Sequence, residues 1–131
     1  MPDPPAPATY GFIGVGTMSS AIVRGLCTLP QPPKAVVLSP RGESNGLSLV
    51  QQFSTGDTPG IVRRAKTNQE VVDESDVIFV GVLPQQTEEV LRALTFKPTQ
   101  TIVSLVSTAP LSMLQDACMP VPAAELSLIH I

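Results

Sequence analysis

Charge is scarce in this chain. Only 15% of its 131 residues are Asp, Glu, Lys or Arg, and the net charge is −3. With no cluster of basic residues, the sequence offers no electrostatic footprint for a nucleic acid or an anionic membrane. No apolar run approaches the length of a membrane span. The N-terminus has no basic region followed by a long apolar core, so no secretory signal is read there. Cysteine occurs twice, as Cys27 and Cys118. Two lone thiols without a secretory context are expected to stay reduced. The single histidine, His130, is next to the last residue, where a side chain is solvated and has no catalytic standing. No residue set with metal-ligand character is read. The 43% hydrophobic content then suits one cytoplasmic globular domain with a genuine core and heavily buried strands.

The stretch from Thr9 to Leu26, TYGFIGVGTMSSAIVRGL, organises the rest. Phe12, Ile13 and Val15 read as a short buried strand. Ala21, Ile22, Gly25 and Leu26 recur at helical spacing on one face. Between them stands Gly14-Val15-Gly16-Thr17-Met18-Ser19. A strand turning sharply into a helix over two glycines points backbone N–H groups and the positive helix end at an anion. Gly14 permits the turn, Gly16 lets a pyrophosphate approach the backbone, and small Ser19 suits close helix–strand packing. A purely structural turn is the competing reading, because glycine serves turns without any ligand.

Residues 1–8, MPDPPAPA, are expected to be a disordered Pro-rich leader. The first helix is expected to end near Thr28, before the Pro30, Pro32 and Pro33 loop. Lys34 to Leu38 reads as the second strand. After it comes Ser39-Pro40-Arg41, with no carboxylate to hold a ribose 2′-OH. A hydroxyl and a guanidinium suit a 2′-phosphate instead, although a polar turn with a solvated Arg41 fits the same residues. Glu43 to Phe53 reads as a crossover helix with Leu47, Val50 and Phe53 inward. Ile61 to Ala65 is a marginal strand, and Asn68 to Asp73 a short helix capped by Thr67 or Asn68. Asp76 to Val82 is a buried parallel strand, Pro84 to Leu94 a helix, Thr101 to Val106 the fifth strand, and Pro110 to Ala117 a further helix. Strands alternating with helices predict an α/β, Rossmann-type doubly wound parallel sheet in three α/β/α layers.

Three blocks, GFIGVGTMSSAIVRGL, DVIFVGVLPQQTEEVL and QTIVSLVSTAPLSMLQ, resemble the N-terminal dinucleotide-binding domain of pyrroline-5-carboxylate reductase. The resemblance runs from about Tyr10 to Ala117. It implies NAD(P)H-dependent reduction of Δ1-pyrroline-5-carboxylate to L-proline, with NADPH as cofactor and NADH possible. Carried over by position, Gly14, Gly16, Thr17 and Met18 would line the pyrophosphate. Ser39 and Arg41 would meet the 2′-phosphate, Asn68 the adenosine ribose, and Val82, Leu83 and Pro84 the nicotinamide side. The family commonly has Lys at the position of Leu83 and Ala-Gly at Ser107-Thr108. Its C-terminal helical domain, which carries dimerisation and most of the substrate pocket, has no counterpart in this sequence. The expectation is therefore a 9–118 cofactor-binding domain, inactive alone, whose longer form is a homo-oligomer.

No candidate acid stands at the strand ends to protonate an imine. Ser104, Ser107 and Thr108 could touch cofactor or substrate, or could simply satisfy loop backbone. Another NADP-dependent dehydrogenase of the β-hydroxyacid or prephenate type remains an alternative. So does a non-catalytic nucleotide-binding or interaction module, with Leu111, Met113 and Leu114 on an exposed apolar surface. Residues 119–131 are expected to be a loop and a non-native tail. The closing LSLIHI is what CTGTCTCTTATACACATC encodes, a sequence resembling a transposase adapter end.

Overall fold

The fold is seen in a computed structural model that describes residues 8–28, 33–40, 48–50, 62–106, 111–118 and 126–128. Six strands form one parallel sheet: β1 (Thr9–Ile13), β2 (Ala35–Leu38), β3 (Val62–Arg64), β4 (Val77–Val80), β5 (Thr101–Ser104) and β6 (Leu126–Leu128). Their spatial order is β3-β2-β1-β4-β5-β6. The chain thus winds outward from β1 in one direction, then returns to place β4 on the other side of β1. The helices are α1 (Thr17–Cys27), α2 (Asn68–Glu74), α3 (Thr87–Arg92), preceded by a 3-10 turn over Pro84–Gln86, and α4 (Leu111–Ala117). This is the doubly wound arrangement that the alternation of strands and helices predicts.

Side-chain alternation along the strands builds the three layers. Phe12, Val36, Leu38 and Phe79 pack with Val23 and Leu49 in one cluster; Ile13, Val37, Ile78, Val80 and Ile102 pack with Val71, Val72, Leu91 and Leu114 in another. Helix α1 and residues 48–50 therefore cover one face, and α2, α3 and α4 the other. Phe12 stacks on Phe79 with ring centroids 4.8 Å apart. Strand β3 is an edge, which explains how a strand carrying Arg63 and Arg64 is tolerated: Val62 is buried while both arginines stay half-exposed. Gln100 ties the end of α2 to the start of β5. Its buried amide donates to the carbonyls of Val72 (2.5 Å) and Ser75 (2.9 Å) and accepts from Lys97 N–H at 2.8 Å.

Several expectations need correction. The buried face of α1 runs through Ser19, Ser20 and Val23, with Ile22, Leu26 and Cys27 half-buried, whereas Ala21 and Gly25 face outward. The bulkier β-branched Val23 sets the contact with the sheet, and the small residues do not. Leu49 is the fully buried residue of the crossover segment and Val50 packs beside it, while Leu47 and Phe53 lie outside the described residues. Leu114 is not exposed: it is 1% accessible, and Met113 packs against the same cluster. Of the expected apolar surface on α4, Leu114 and Met113 therefore belong to the core, while the Leu111 side chain lies outside what is described. Ala8, assigned to the leader, already accepts from Lys34 N–H at 3.0 Å. Finally, the 119–131 segment is not loop throughout. Leu126–Leu128 pairs in parallel register with Ile102, Val103 and Ser104, because a three-residue apolar–polar–apolar stretch can satisfy the otherwise unpaired backbone edge of β5.

Candidate functional site

The topological switch falls between β1 and β4, and in open parallel sheets the crevice above that point receives ligands. The cleft found there has a volume of about 180 Å³ and is lined by the residues that leave the C-terminal ends of four strands. Ile13 ends β1 and Gly14, Val15 and Gly16 follow it; Ser39 follows β2; Asn68 opens the helix after β3; Gly81, Val82 and Leu83 follow β4; Gln86 and Val90 come from the turn and α3. It continues in two directions, past Gly16, Met18, Ser19 and Leu105 on one side and between Asn68, Gln69, Gln86 and Leu94 on the other. The shape suits an elongated ligand lying across the sheet edge.

The glycines divide their work. Gly14 holds φ at +91°, the one left-handed residue among those described, and a Cβ there would lie 2.6 Å from the Gly81 carbonyl oxygen. It is required by the fold. Gly16 has φ −97°, which any residue adopts, and a Cβ there would meet nothing within 4 Å. The space over Gly16 is open, so its lack of a side chain matters only to something that enters the cleft. Gly81 takes the Ser19 hydroxyl into the space a Cβ would fill, at 2.7 Å. That contact is the close helix–strand packing expected of Ser19.

The first turn of α1 suits an anion. No side chain caps it and no acid stands in it, so its N–H groups and positive end face the cleft. The contrast with α2 is direct: there Thr67 Oγ1 accepts from Glu70 N–H, and Glu70 Oε2 accepts from Lys66 N–H at 2.8 Å. One helix start is closed by its own side chains, the other is left for a ligand.

Ser39 is fully buried, and its Oγ accepts from Gly14 N–H at 2.9 Å. It therefore braces the glycine turn from the end of β2. Asn68 Oδ1 is buried without a partner among the described residues. Leu83 is 56% exposed, and its carbonyl accepts from Gln86 N–H and Thr87 Oγ1. The cleft brings together six of the expected site residues: Gly14, Gly16, Ser39, Asn68, Val82 and Leu83. Met18 lines the adjoining pocket, Pro84 opens the 3-10 turn just outside the lining, and the Thr17 backbone begins α1. Arg41, Ser107 and Thr108 lie outside the described residues. Ser104 is buried and its Oγ accepts from Val106 N–H at 3.2 Å, the backbone-satisfying alternative.

Gln86, Val90 and Gly81 escaped the sequence reading. Only Gly81 left a signal, as a glycine directly after an apolar strand. Among the described residues, no carboxylate, imidazole or thiol lines the central cleft. Cys118 is buried behind α4, where desolvation pushes its thiol up to about 11, and burial also raises Cys27. A raised pKa leaves less thiolate at neutral pH, which argues against either as a nucleophile. No His/Cys/Asp/Glu cluster among the described residues could hold a metal, and no described helix is long and apolar enough to cross a membrane.

Residues 9–109 match the family described as NADP oxidoreductase, coenzyme F420-dependent. The pyrroline-5-carboxylate reductase of Methanosarcina acetivorans is 32% identical over 113 residues, covering 83% of this chain and 39% of that protein. That of Pseudomonas aeruginosa is 28% identical, covering 79% of this chain and 36% of its own length. Among solved structures, the 1-pyrroline-5-carboxylate reductase of Streptococcus pyogenes superposes with a TM-score of 0.62 at 28% identity, covering 92% of this chain and 39% of that one. The chain thus spans about two fifths of the length of the relatives it matches.

Proposed function

Given that the chain belongs to the family described as NADP oxidoreductase, coenzyme F420-dependent, we propose that it is the cofactor-binding part of a pyrroline-5-carboxylate reductase. The observation that carries this reading is the bare, open glycine turn: Gly16 faces free space at an uncapped helix start, beside a crevice formed at the switch point of the sheet. When bound, the nicotinamide cofactor supplies a hydride to an electrophilic carbon. The chain's own residues bind and orient. Backbone N–H groups of Gly16, Thr17 and Met18 receive the pyrophosphate, and Asn68, Gln86 and Val90 flank the adenosine end. Val82 and Leu83 border the nicotinamide side. Reduction of Δ1-pyrroline-5-carboxylate to L-proline adds one hydride to the imine carbon and one proton to its nitrogen. The described residues of the cleft supply no acid for that proton, and the reading assigns most of the substrate pocket to the part of the relatives that this chain does not span. The chain alone is inactive, and its longer form is a cytoplasmic homo-oligomer. Residues 9–118 are the cofactor domain.

Titration with NADPH and NADH, read by calorimetry, tests the reading. Tighter binding of NADPH that weakens on Arg41→Ala supports it, including the 2′-phosphate contact. Equal affinities would remove the argument from Ser39 and Arg41, and a folded chain that binds neither cofactor would overturn the reading as a whole.

A further inference from the structure

Three consecutive residues at the exit of β2 are each held by a different neighbour. The Leu38 carbonyl accepts from Ala65 N–H at 2.7 Å, and Ser39 N–H donates to the Phe12 carbonyl at 2.9 Å. The Pro40 carbonyl accepts from Arg64 Nη2 at 3.0 Å. Arg64 stands opposite Leu38 in the β2–β3 register, so the sheet itself delivers the guanidinium to the point where β2 ends. Its neighbour Arg63 is neutralised by Glu70 and Glu74. Arg64 makes no ion pair among the described residues, and its Nε is buried without a partner there. The place where a carboxylate would hold a ribose diol is filled by Ser39, whose oxygen is engaged by Gly14. The cation hydrogen-bonded at the exit of β2 is thus Arg64, with no carboxylate paired to it among the described residues.

We propose that Arg64 is a positioning residue for phosphorylated-ribose selectivity. Through its bond to the Pro40 carbonyl it anchors the exit of β2, and it holds a positive charge beside the place where a 2′-phosphate on the adenosine ribose would stand. Because Ser39 also braces Gly14, the same turn links the ribose end of the site to the pyrophosphate end. The inference rests on the cofactor reading above. A guanidinium with one N–H committed to a carbonyl keeps further donors for a dianion, which a diol does not need.

The test compares parent chain, Arg64→Ala, Arg64→Lys and Arg64→Gln, each checked for a cooperative thermal transition and titrated with NADPH, NADH, 2′-AMP and 5′-AMP. Arg64→Ala is expected to weaken NADPH and 2′-AMP at least tenfold while NADH and 5′-AMP stay within twofold. Arg64→Lys, which keeps the charge, is expected to restore part of the loss. If Arg64→Ala does not fold, Arg64→Lys and Arg64→Gln carry the comparison, the uncharged glutamine giving the larger loss of NADPH. An NADPH-to-NADH affinity ratio that stays within twofold of the parent, or parallel weakening of both, overturns the role of Arg64 alone. A folded parent chain that binds none of the four ligands overturns the cofactor reading together with it.

Discussion

Gly16→Ala should separate ligand binding from stability in this protein. The backbone at Gly16 is extended at φ −97° and ψ −165°, so alanine enters without strain, and its Cβ would meet no protein atom within 4 Å. Replacing glycine where the native conformation suits alanine stabilises by about 0.4–1 kcal/mol through the unfolded chain, which offsets the cost of alanine as a poorer N-cap than glycine. The melting temperature should therefore stay close to that of the parent. The new methyl group stands instead in the open space above the uncapped start of α1. A phosphate that must reach the N–H groups there would be pushed back, weakening charge-assisted hydrogen bonds worth about 1.5–3 kcal/mol each. Losing the equivalent of one such bond corresponds to roughly a 10- to 150-fold rise in the NADPH dissociation constant.

Gly14→Ala provides the opposite signature. There φ is +91°, and the Cβ would lie 2.6 Å from Gly81 O and 2.9 Å from Gly81 C, backbone atoms that cannot rotate aside. The left-handed conformation alone costs about 1–2 kcal/mol for a residue with a Cβ, and the clash adds to it, so this variant should lose stability first. Calorimetric titration with NADPH and thermal unfolding, run on both variants, give the comparison. A Gly16→Ala chain that binds NADPH within threefold of the parent would refute the assignment of this turn to the pyrophosphate. A Gly16→Ala chain that unfolds several degrees earlier would refute the reading that its side of the turn faces open space.

Two further outcomes follow from packing and titration. Gly81→Ala should destabilise by about 1–3 kcal/mol as an overpacking change, since its Cβ would lie 2.7 Å from Ser19 Oγ; Ser19→Gly in the same chain should recover most of that loss in chemical denaturation. Cys118, whose ordinary value of 9.0 burial raises to about 11, contributes stability that is complete below pH 9 and lost as the pH climbs through 11. The alkaline loss is on the order of 2 kcal/mol, and Cys118→Ala should flatten it while lowering the neutral-pH stability through the cavity it leaves.

Local signals carry the fold and most of the residues that line the candidate cleft. The apolar run Val77–Val80, the glycine turn and Thr67 as a helix cap are all consequences of neighbours in sequence, and each stands where its spacing implies. What escaped depends on pairing across the sheet. Nothing near Ser39 announces that its hydroxyl braces a glycine 25 positions earlier. Arg64 reads as an interruption of a weak strand until the β2–β3 register sets it beside Pro40. The face of α1 was misjudged because spacing gives periodicity without saying which phase meets the sheet; Val23 lies on the sheet side because Phe12, Val36 and Leu38 pack there with it. The Leu126–Leu128 strand reflects the open edge of β5 more than any propensity of its own three residues.

The division between what this chain holds and what it lacks follows from the same geometry. Among the described residues, those lining the central cleft shape its surface or offer a backbone donor or an uncharged side chain, and none of them carries an acid or imidazole. A site of that composition can bind and orient a dinucleotide, yet it cannot by itself protonate an imine nitrogen. The described lining therefore leaves proton delivery to a group other than these residues. The proposed separation is physically sensible: phosphate binding needs only a rigid backbone turn, of the kind that follows β1, whereas proton delivery needs a group placed against a substrate held from the opposite side. Cofactor affinity is thus expected from this chain before any turnover is, which makes the Gly16→Ala titration informative even where no reduction can be measured.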